Sequence, residues 1–257
     1  MVNATKLPVD TNVSAMKMAD AMFGSGIKIV SATYSGDPQS AGIFTKGDTI
    51  APEATPSDTG VILSTGKASD FTNAKGEANQ VAWRTSDTKG VDGDKDLDAI
   101  AGGKTFDGSI FQSDFIPSGS TLTMQITFSS EEYLEYVGSG FNDAVGVWVN
   151  GQKAQLTVGD GDISIDNINP TKNGNLYVDN AKDQYNTEMD GFTVTLTLKA
   201  PVIPGKVNQL KIGIADGGDA AYDSNLLIAG DSIQTGVVAQ ADQFTVGLNN
   251  QATVNLL

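Results

Sequence analysis

The sequence predicts an all-β fold: a two-sheet antiparallel β-sandwich, jelly-roll-like, with one short N-terminal helix and long loops. Short apolar or alternating segments recur between turns rich in Gly, Asp and Asn, as they do in sandwiches and barrels. No long helices separate these segments, which disfavours a parallel α/β fold. The 257 residues, 39% of them hydrophobic, are enough to bury a core.

One segment has clear helical periodicity, NVSAMKMADAMFGSG at residues 12–26. Its apolar residues recur at three- and four-residue spacing and therefore share one face. We expect Asn12 or Ser14 to cap the start of this helix and Gly24 to end it.

Eight further segments have the composition and length of strands. They are IKIVSATYSG (27–36), GVILSTG (60–66), SIFQSDFIP (109–117), TLTMQITF (121–128), AVGVWVN (144–150), GFTVTLTLKA (191–200), NQLKIGIAD (208–216) and NLLIAG (225–230). Together with shorter candidates they make roughly ten strands, at a spacing that suits an antiparallel sandwich.

The composition excludes several functions. The chain has 31 acidic and 16 basic residues, a formal charge of -15, which argues against binding to nucleic acid or to anionic lipid. It has no Cys and no His, so disulfides, thiolate or imidazole metal sites and Ser-His catalysis are impossible. No run approaches the roughly 18 apolar residues of a membrane span. Carboxylate and carbonyl oxygens remain as metal ligands, and they suit Ca²⁺.

The first acidic cluster is VDGDKDLDAI, in which Asp92, Asp94, Asp96 and Asp98 alternate with other residues and Gly93 permits a bend. Alternate carboxylates on a curled loop can converge on one ion, and four like charges this close would otherwise repel. The flanking helices and later Glu of a helix-loop-helix calcium loop are absent. A solvated acidic turn is the alternative.

The second cluster joins two predicted strands and comprises Glu131, Glu132, Glu135, Asn142 and Asp143. Neighbours in a strand face opposite sides, so Glu131 and Glu132 cannot point the same way unless the chain bends. We expect a hairpin-like corner that brings the oxygens of both strand ends together as a cation site. Alternatively, one or two of the glutamates are exposed polar residues.

Two further groups could supply ligands. Asp216, Asp219 and Asp223 surround a double glycine between apolar strands, although Asp219 could instead cap a turn. Two weaker candidate groups could equally well belong to ordinary hairpin turns. They are Asp160, Asp162 and Asp166, and Asp179, Asn180 and Asp183.

Tyrosines accompany the strongest clusters. Tyr133, Tyr136 and Tyr222, with Glu135, are the predicted ligand contacts, because an aromatic ring beside a Ca²⁺ site can stack on a sugar or pack on a peptide. Packing at the edge of the sandwich is the alternative.

The order of these motifs, above all SEEYLEYVGSGFND and IADGGDAAYDS, resembles the choice-of-anchor L family of bacterial surface proteins, over residues 15–232. The family is similar to ligand-binding modules of large RTX adhesins, one of which captures C-terminal peptide ends in a Ca²⁺-dependent manner. The resemblance implies several Ca²⁺ ions, one with open coordination that accepts a ligand carboxylate. It also implies an extracellular, monomeric module within a longer chain, with a peptide or protein terminus on another cell as partner.

The expected domains are residues 1–233, the ligand-binding sandwich, and residues 234–257, a linker and the start of a cadherin- or immunoglobulin-like repeat. Three alternatives remain: a Ca²⁺-dependent glycan-binding module, a structural module stiffened by Ca²⁺, and a glycosidase using Glu131 with Glu135 or Glu132 with Asp143. With only two Trp in the chain, an aromatic-lined cleft is not evident, so we expect no enzyme.

Overall fold

A computed structural model describes residues 2–81, 83–86 and 88–236 of the chain. Within these residues two antiparallel sheets enclose a shared apolar core, which confirms the predicted β-sandwich. No helix in the described residues is long and apolar enough to cross a lipid bilayer.

The larger sheet contains ten strands in the described part of the chain, and residues 60–64, 224–229 and 121–130 lie side by side at its centre. Its strands are β1 (Val9–Asp10), β3 (Ala41–Phe44), β4 (Gly60–Ser64), β6 (Thr121–Ser130), β9 (Gln155–Leu156), β11 (Tyr177–Asp179), β12 (Gly191–Thr193), β13 (Leu196–Pro201), β15 (Ser224–Ala229) and β16 (Gln234–Gly236). One edge of β6 is paired in turn with β12 and β13, because the predicted strand at 191–200 is interrupted between these two.

The smaller sheet has the order β10-β7-β14-β5-β2, with β8 paired to β7. Its strands are β2 (Ile27–Ser35), β5 (Thr105–Pro117), β7 (Ala144–Val149), β8 (Gln152–Lys153), β10 (Ile163–Ser164) and β14 (Asn208–Gly217). Strands β14 and β5 pair along most of their length and form the rigid centre of this sheet.

The core follows from the two-residue period of the strands. Along β6, Leu122, Met124, Ile126 and Phe128 are buried between the sheets. Each such side chain contributes about 1.5–3 kcal/mol through removal of apolar surface from water. A second apolar layer covers the outer face of the larger sheet, and its members include Leu7, Phe44, Phe71, Phe192 and Leu227.

The predicted helix forms as α1 (Ala15–Met22), with Ser14 Oγ accepting from Lys17 N at 3.3 Å and the helix ending before Gly24. The prediction of a single helix is wrong, because α2 (Gly47–Ile50) and α3 (Lys95–Ala101) also form. Helix α3 is short, and Leu97 packs beside Gly213 on the outer face of the smaller sheet. That apolar surface exists only once the sheet has formed.

The predicted domain boundary at residue 233 stays a prediction. Gln234–Gly236 form β16 and pair with β6, while residues 237–257, where the following repeat is expected, lie outside the described residues.

Candidate functional site

Antiparallel pairing brings the acidic strand ends to one end of the sandwich. Strand β6 ends where β15 begins, with Ser130 opposite Ser224, and β14 ends where β7 begins, with Ala215 opposite Ala144. The predicted hairpin-like corner is wrong, because β6 and β7 belong to different sheets and residues 131–143 cross from one to the other. The two strand ends still meet, since Ser130 Oγ donates to Asp143 Oδ2 at 3.3 Å.

The strand pleat divides the carboxylates at this end into two groups. Ser130 and Ser224 face inward to Asp143. Ser129 and Asn225, one residue away on each strand, therefore face outward. We call Glu132, Asp143 and Asp216 the inner cluster, and Glu131, Glu188, Asp190 and Asp223 the outer cluster. The expectation that Glu131 and Glu132 face opposite sides agrees with the different carboxylates that surround them.

Asp143 is the fully buried centre of the inner cluster. Its Oδ1 accepts from Gly217 N at 3.0 Å, and its Oδ2 accepts from Ser224 Oγ at 2.7 Å. Burial nevertheless raises the pKa of Asp143 to about 7, since these hydrogen bonds offset only part of the lost hydration.

The other two inner carboxylates are less well satisfied. Burial, then repulsion from Asp143, raises the pKa of Glu132 to about 9. Burial and Asp143 also hold the pKa of Asp216 well above its usual range, although a hydrogen bond from Thr65 opposes this. Glu132 Oε2 and Asp216 Oδ1 are buried without a hydrogen-bond partner. The inner cluster therefore holds carboxyl groups whose negative charge, once they ionise, the protein itself does not compensate.

The outer cluster has one unsatisfied carboxylate among satisfied ones. Glu188 accepts from Asn73 Nδ2 at 2.8 Å and from Arg84 Nη2 at 3.1 Å. Asp190 accepts from Asn79 Nδ2 at 2.5 Å. Both oxygens of Glu131 lack partners, and burial, followed by repulsion from Asp190, raises its pKa to about 10.

Asp223 in the outer cluster anchors a loop. It accepts from Ser86 N at 2.8 Å and from Ser86 Oγ at 2.7 Å. Burial raises the pKa of Asp223 to about 6, against the effect of these hydrogen bonds. The segment around Ser86 is thus fastened over this end of the larger sheet.

The fit of these residues to a hard cation can be judged from their donor atoms. Among the described residues, no group of three or more acidic side chains converges as the ligands of one ion do. The orphaned oxygens of Glu131, Glu132 and Asp216 are nevertheless the donors that Ca²⁺ prefers. The type of donor atom therefore fits Ca²⁺, and the individual oxygens that could contribute are those of Glu131, Glu132 and Asp216.

The Asp92–Asp98 cluster is organised differently from the prediction. Asp94 caps α3, accepting from Asp96 N and Leu97 N, and Asp98 accepts from Thr105 N at 2.8 Å. Lys211 Nζ lies 2.7 Å from Asp94 Oδ1 and 2.6 Å from Asp96 Oδ2. The positive charge that the sequence interpretation assigned to a metal ion is supplied here by a lysine.

Two predicted amide ligands hold loops together. Asn180 is fully buried, donates to Thr187 O and Met189 O, and accepts from Tyr185 N at 2.9 Å. Asn142 Oδ1 accepts from Asp166 N at 3.1 Å. The cation contacts that we predicted for both residues stay a prediction, and these hydrogen bonds give each amide a structural role.

The remaining predicted aspartates lie at the end of a strand or in turns and loops. Asp179 Oδ1 accepts from Ala181 N, and Asp219 Oδ1 accepts from Ala221 N at 3.0 Å, which is the turn-capping alternative for Asp219. The loop with Asp160 and Asp162 is held by Asn167, whose Nδ2 donates to both carbonyls at 2.8 Å.

The predicted ligand-contacting aromatics separate into buried and accessible ones. Tyr133 is 1% exposed and its hydroxyl donates to Ile168 O, so its predicted role in ligand contact is wrong. Tyr136 and Tyr222 are half-buried, with their hydroxyls 3.1 Å apart and ring centroids 4.9 Å apart. Glu135 is exposed. The hydrogen bond with Tyr136 is the main cause of the raised pKa of Tyr222, and repulsion from Glu132 adds to it, so this pair lies beside the inner cluster.

Several site residues escaped the sequence analysis. Glu188 and Asp190 precede β12 just as Asn142 and Asp143 precede β7. Acidic residues directly before a predicted strand could therefore have identified Glu188 and Asp190 as site residues.

A polar groove of about 370 Å³ lies on the outer face of the smaller sheet, away from both clusters. Its lining includes Thr33, Gln112, Asp114, Trp148 and Lys211. Lys211 pairs across the sheet with both Trp148 and Gln112, so these side chains form a row across three strands.

Comparison with known proteins identifies a family. The chain matches the choice-of-anchor L domain over residues 6–234. No match is found among curated proteins. One solved structure, described as a family 35 carbohydrate binding module from an environmental isolate, is similar at 15% identity and a TM-score of 0.25. The similarity covers 63% of this chain and 97% of that one, and at this TM-score it has no bearing on fold or ligand.

Proposed function

The chain belongs to the choice-of-anchor L family, and from this membership we propose that it is a non-catalytic binding module of a bacterial surface protein, dependent on Ca²⁺. Its ligand is a peptide or protein terminus, captured through the terminal carboxylate on a partner cell. The module acts outside the cell as a monomeric part of a longer adhesin, without contact to nucleic acid or insertion into membrane.

The observation that carries the proposal is the pair of buried, unpartnered oxygens in the inner cluster, Glu132 Oε2 and Asp216 Oδ1. A buried carboxylate without compensation is costly, and a bound cation would supply the missing positive charge. A bound Ca²⁺ ion would reverse the local sign of the potential, so that an acidic protein could bind an acidic terminus.

Accessible groups beside the inner cluster support a ligand role. Tyr136 and Tyr222 present half-buried rings. Their apolar faces suit the side chain next to a peptide terminus. Residues 138 and 140 are glycines with positive φ, and their Cβ positions meet no other atom within 4 Å. The Gly138 N–H donates to Asp166 Oδ1 at 2.6 Å, so a ligand would approach the backbone of this turn at Gly140.

The proposal is tested with peptides that differ only in a free or an amidated C-terminus. We expect the free-acid peptide to bind in the presence of Ca²⁺. Amidation of the peptide or addition of EDTA should lower its affinity at least tenfold, which corresponds to about 1.4 kcal/mol of binding free energy. Glu132→Gln should abolish capture, whereas Glu53→Gln, which removes an exposed charge, should not. Equal binding of both peptides in EDTA would contradict the proposal.

A glycan is the second candidate ligand, favoured by the groove that contains Trp148, Gln112 and Thr33. A row of amide and hydroxyl groups beside an aromatic ring suits a sugar. Competition between simple sugars and the free-acid peptide separates the two candidates. A module that binds neither in Ca²⁺ would be a structural one.

A further inference from the structure

Apolar side chains are exposed at the end of the sandwich opposite the two carboxylate clusters. The loop between β13 and β14 presents Ile203 and Val207, which are 57% and 55% exposed. Beside this loop is a cleft of about 400 Å³ whose lining includes Ile27, Ile116 and Pro117. We call these five residues the basal patch. Exposed apolar residues that adjoin one another indicate an interaction surface, whereas scattered single ones do not.

The loop that carries the exposed side chains is fastened by hydrogen bonds. Buried Asn208 accepts from Ile203 N at 2.9 Å, and its Nδ2 donates to Ile203 O and to Lys206 O, each at 2.9 Å. Gly205 N donates to Pro117 O at 2.8 Å, which holds the loop against the cleft. A loop fastened in this way displays its side chains at fixed positions, so their exposure is a property of the folded domain.

The chain leaves the sandwich beside this cleft. Gly236, the last residue that the structure describes, accepts from Ser120 N at 3.0 Å. A Cβ added at Gly119 would lie only 2.4 Å from Gly236 O, and the neighbouring Ser118 lines the cleft. The Cα of the next residue, Val237, is about 3.8 Å from that of Gly236. The following segment therefore starts next to the basal patch.

The composition of residues 237–257 is complementary to this surface. The segment begins with Val237 and Val238, continues with further apolar residues, and has one charged side chain, Asp242. Of the described residues that line the cleft, one is charged, Lys28. In a chain with a formal charge of -15, a cleft whose one charge is positive suits a segment whose one charge is negative.

We propose that residues 237–257 of this chain dock on the basal patch, with Val237 and Val238 in the cleft and later apolar side chains over Ile203 and Val207. The contact removes apolar surface on both sides from water, which is the main favourable contribution to such an association. Residues 237–257 thus form a rigid joint with the sandwich, in place of a free linker.

The joint determines where the carboxylate clusters point. Gly236 lies opposite Thr121 at the start of β6, and Ser130, which donates to Asp143 of the inner cluster, ends the same strand. At about 3.3 Å per residue, the length of β6 separates these two ends by roughly 30 Å. The docked segment therefore holds both clusters at the end of the sandwich remote from itself. This inference requires neither Ca²⁺ nor peptide capture, so it is independent of the proposed function.

The test uses introduced thiols in the full chain, which has no Cys of its own. Ile203→Cys and Val207→Cys each place one thiol on the basal patch, and Val158→Cys, at a residue 60% exposed in another loop, is the matched control. Alkylation by iodoacetamide is followed by the mass of the intact chain. We expect both patch thiols to react roughly tenfold or more slowly than the control thiol, because a covered thiol is inaccessible to the reagent.

A second comparison identifies what covers the patch. Val237→Ser combined with Val238→Ser should raise the alkylation rate of the Ile203→Cys chain toward that of the control, and should leave the rate of the Val158→Cys chain unchanged. Patch thiols that react as fast as the control thiol would overturn the inference, as would protection that survives both serine substitutions. Protection that increases with protein concentration would assign the patch to a second copy of the chain and overturn the assignment to residues 237–257.

Discussion

Glu131 and Glu132 are sequence neighbours with different chemical surroundings. Glu132 faces Asp143 in the interior, while Glu131 faces Glu188 and Asp190 on the outer side of the larger sheet. A shift of one residue in the register of β6 would exchange them, because successive side chains alternate between faces. The register of a single strand therefore decides which carboxylate belongs to which cluster.

Gly66 shows how closely the backbone approaches this site. A Cβ added at Gly66 would lie within van der Waals overlap of both Asp223 carboxylate oxygens. Gly66→Ala should push this carboxylate away from Ser86 and lower the free energy of unfolding by about 1–3 kcal/mol. Urea denaturation measures this change.

Gly103→Ala is the matched control, because its Cβ meets no atom within 4 Å. Equal stability of the two alanine variants would contradict the packing of Asp223 against Gly66.

Helix α3 depends on charges from distant parts of the chain. Asp94 caps its first turn and also pairs with Lys211 of β14, whose ammonium lies 4.9 Å from the Trp148 ring centroid. The helix is only seven residues long, so its own propensity is too weak to sustain it. Its stability comes from the cap, the ion pair and the packing of Leu97 on the sheet.

Asp94→Ala should lower the free energy of unfolding by about 0.5–2 kcal/mol through loss of the cap alone. It should leave the number of bound calcium ions unchanged, since Lys211 already neutralises this carboxylate. Denaturant melts and calcium titration measure the two effects. Asp92→Ala, at an exposed residue before the helix, is the control. If either variant bound one calcium ion fewer than the unmodified chain, the Asp92–Asp98 cluster would be a cation site.

The apolar core and the buried carboxylates lie in different parts of the molecule. The core fills the space between the sheets, whereas both carboxylate clusters lie at one end, where strands of both sheets end or begin. Part of the formal charge of -15 therefore belongs to buried carboxylates, which are the least hydrated. Burying ionised carboxylates is unfavourable, so the stability of this end depends on protons or cations.

This dependence predicts how stability varies with pH in EDTA. The folded-state pKa values of Glu131, about 10, and Glu132, about 9, exceed the ordinary value of 4.5. Both acids thus favour folding while protonated. Their contribution is complete below about pH 4.5 and is lost as pH rises toward 9 or 10. The unfolding midpoint in EDTA should therefore fall between about pH 5 and pH 9.

Saturating Ca²⁺ should flatten this decline, because the ion stabilises the ionised carboxylates. Thermal melts at about pH 5, 7 and 9, with and without EDTA, measure both curves. A midpoint in EDTA that does not change with pH would show that these carboxylates are hydrated in solution.

The sequence alone was sufficient for the sandwich and for the presence of acidic residues where its strands end. The alternating pattern of TLTMQITF predicts β6, and Ser14 and Gly24 predict the ends of α1, because each signal is carried by residues close together in the chain. The tertiary structure decided which charges meet. Lys211 pairs with Asp94 across 117 residues, and Ser129 lies opposite Asn225 only through the register of β6 and β15. Such contacts depend on strand order and pairing, which local patterns do not encode, and they determine which carboxylates remain without a partner.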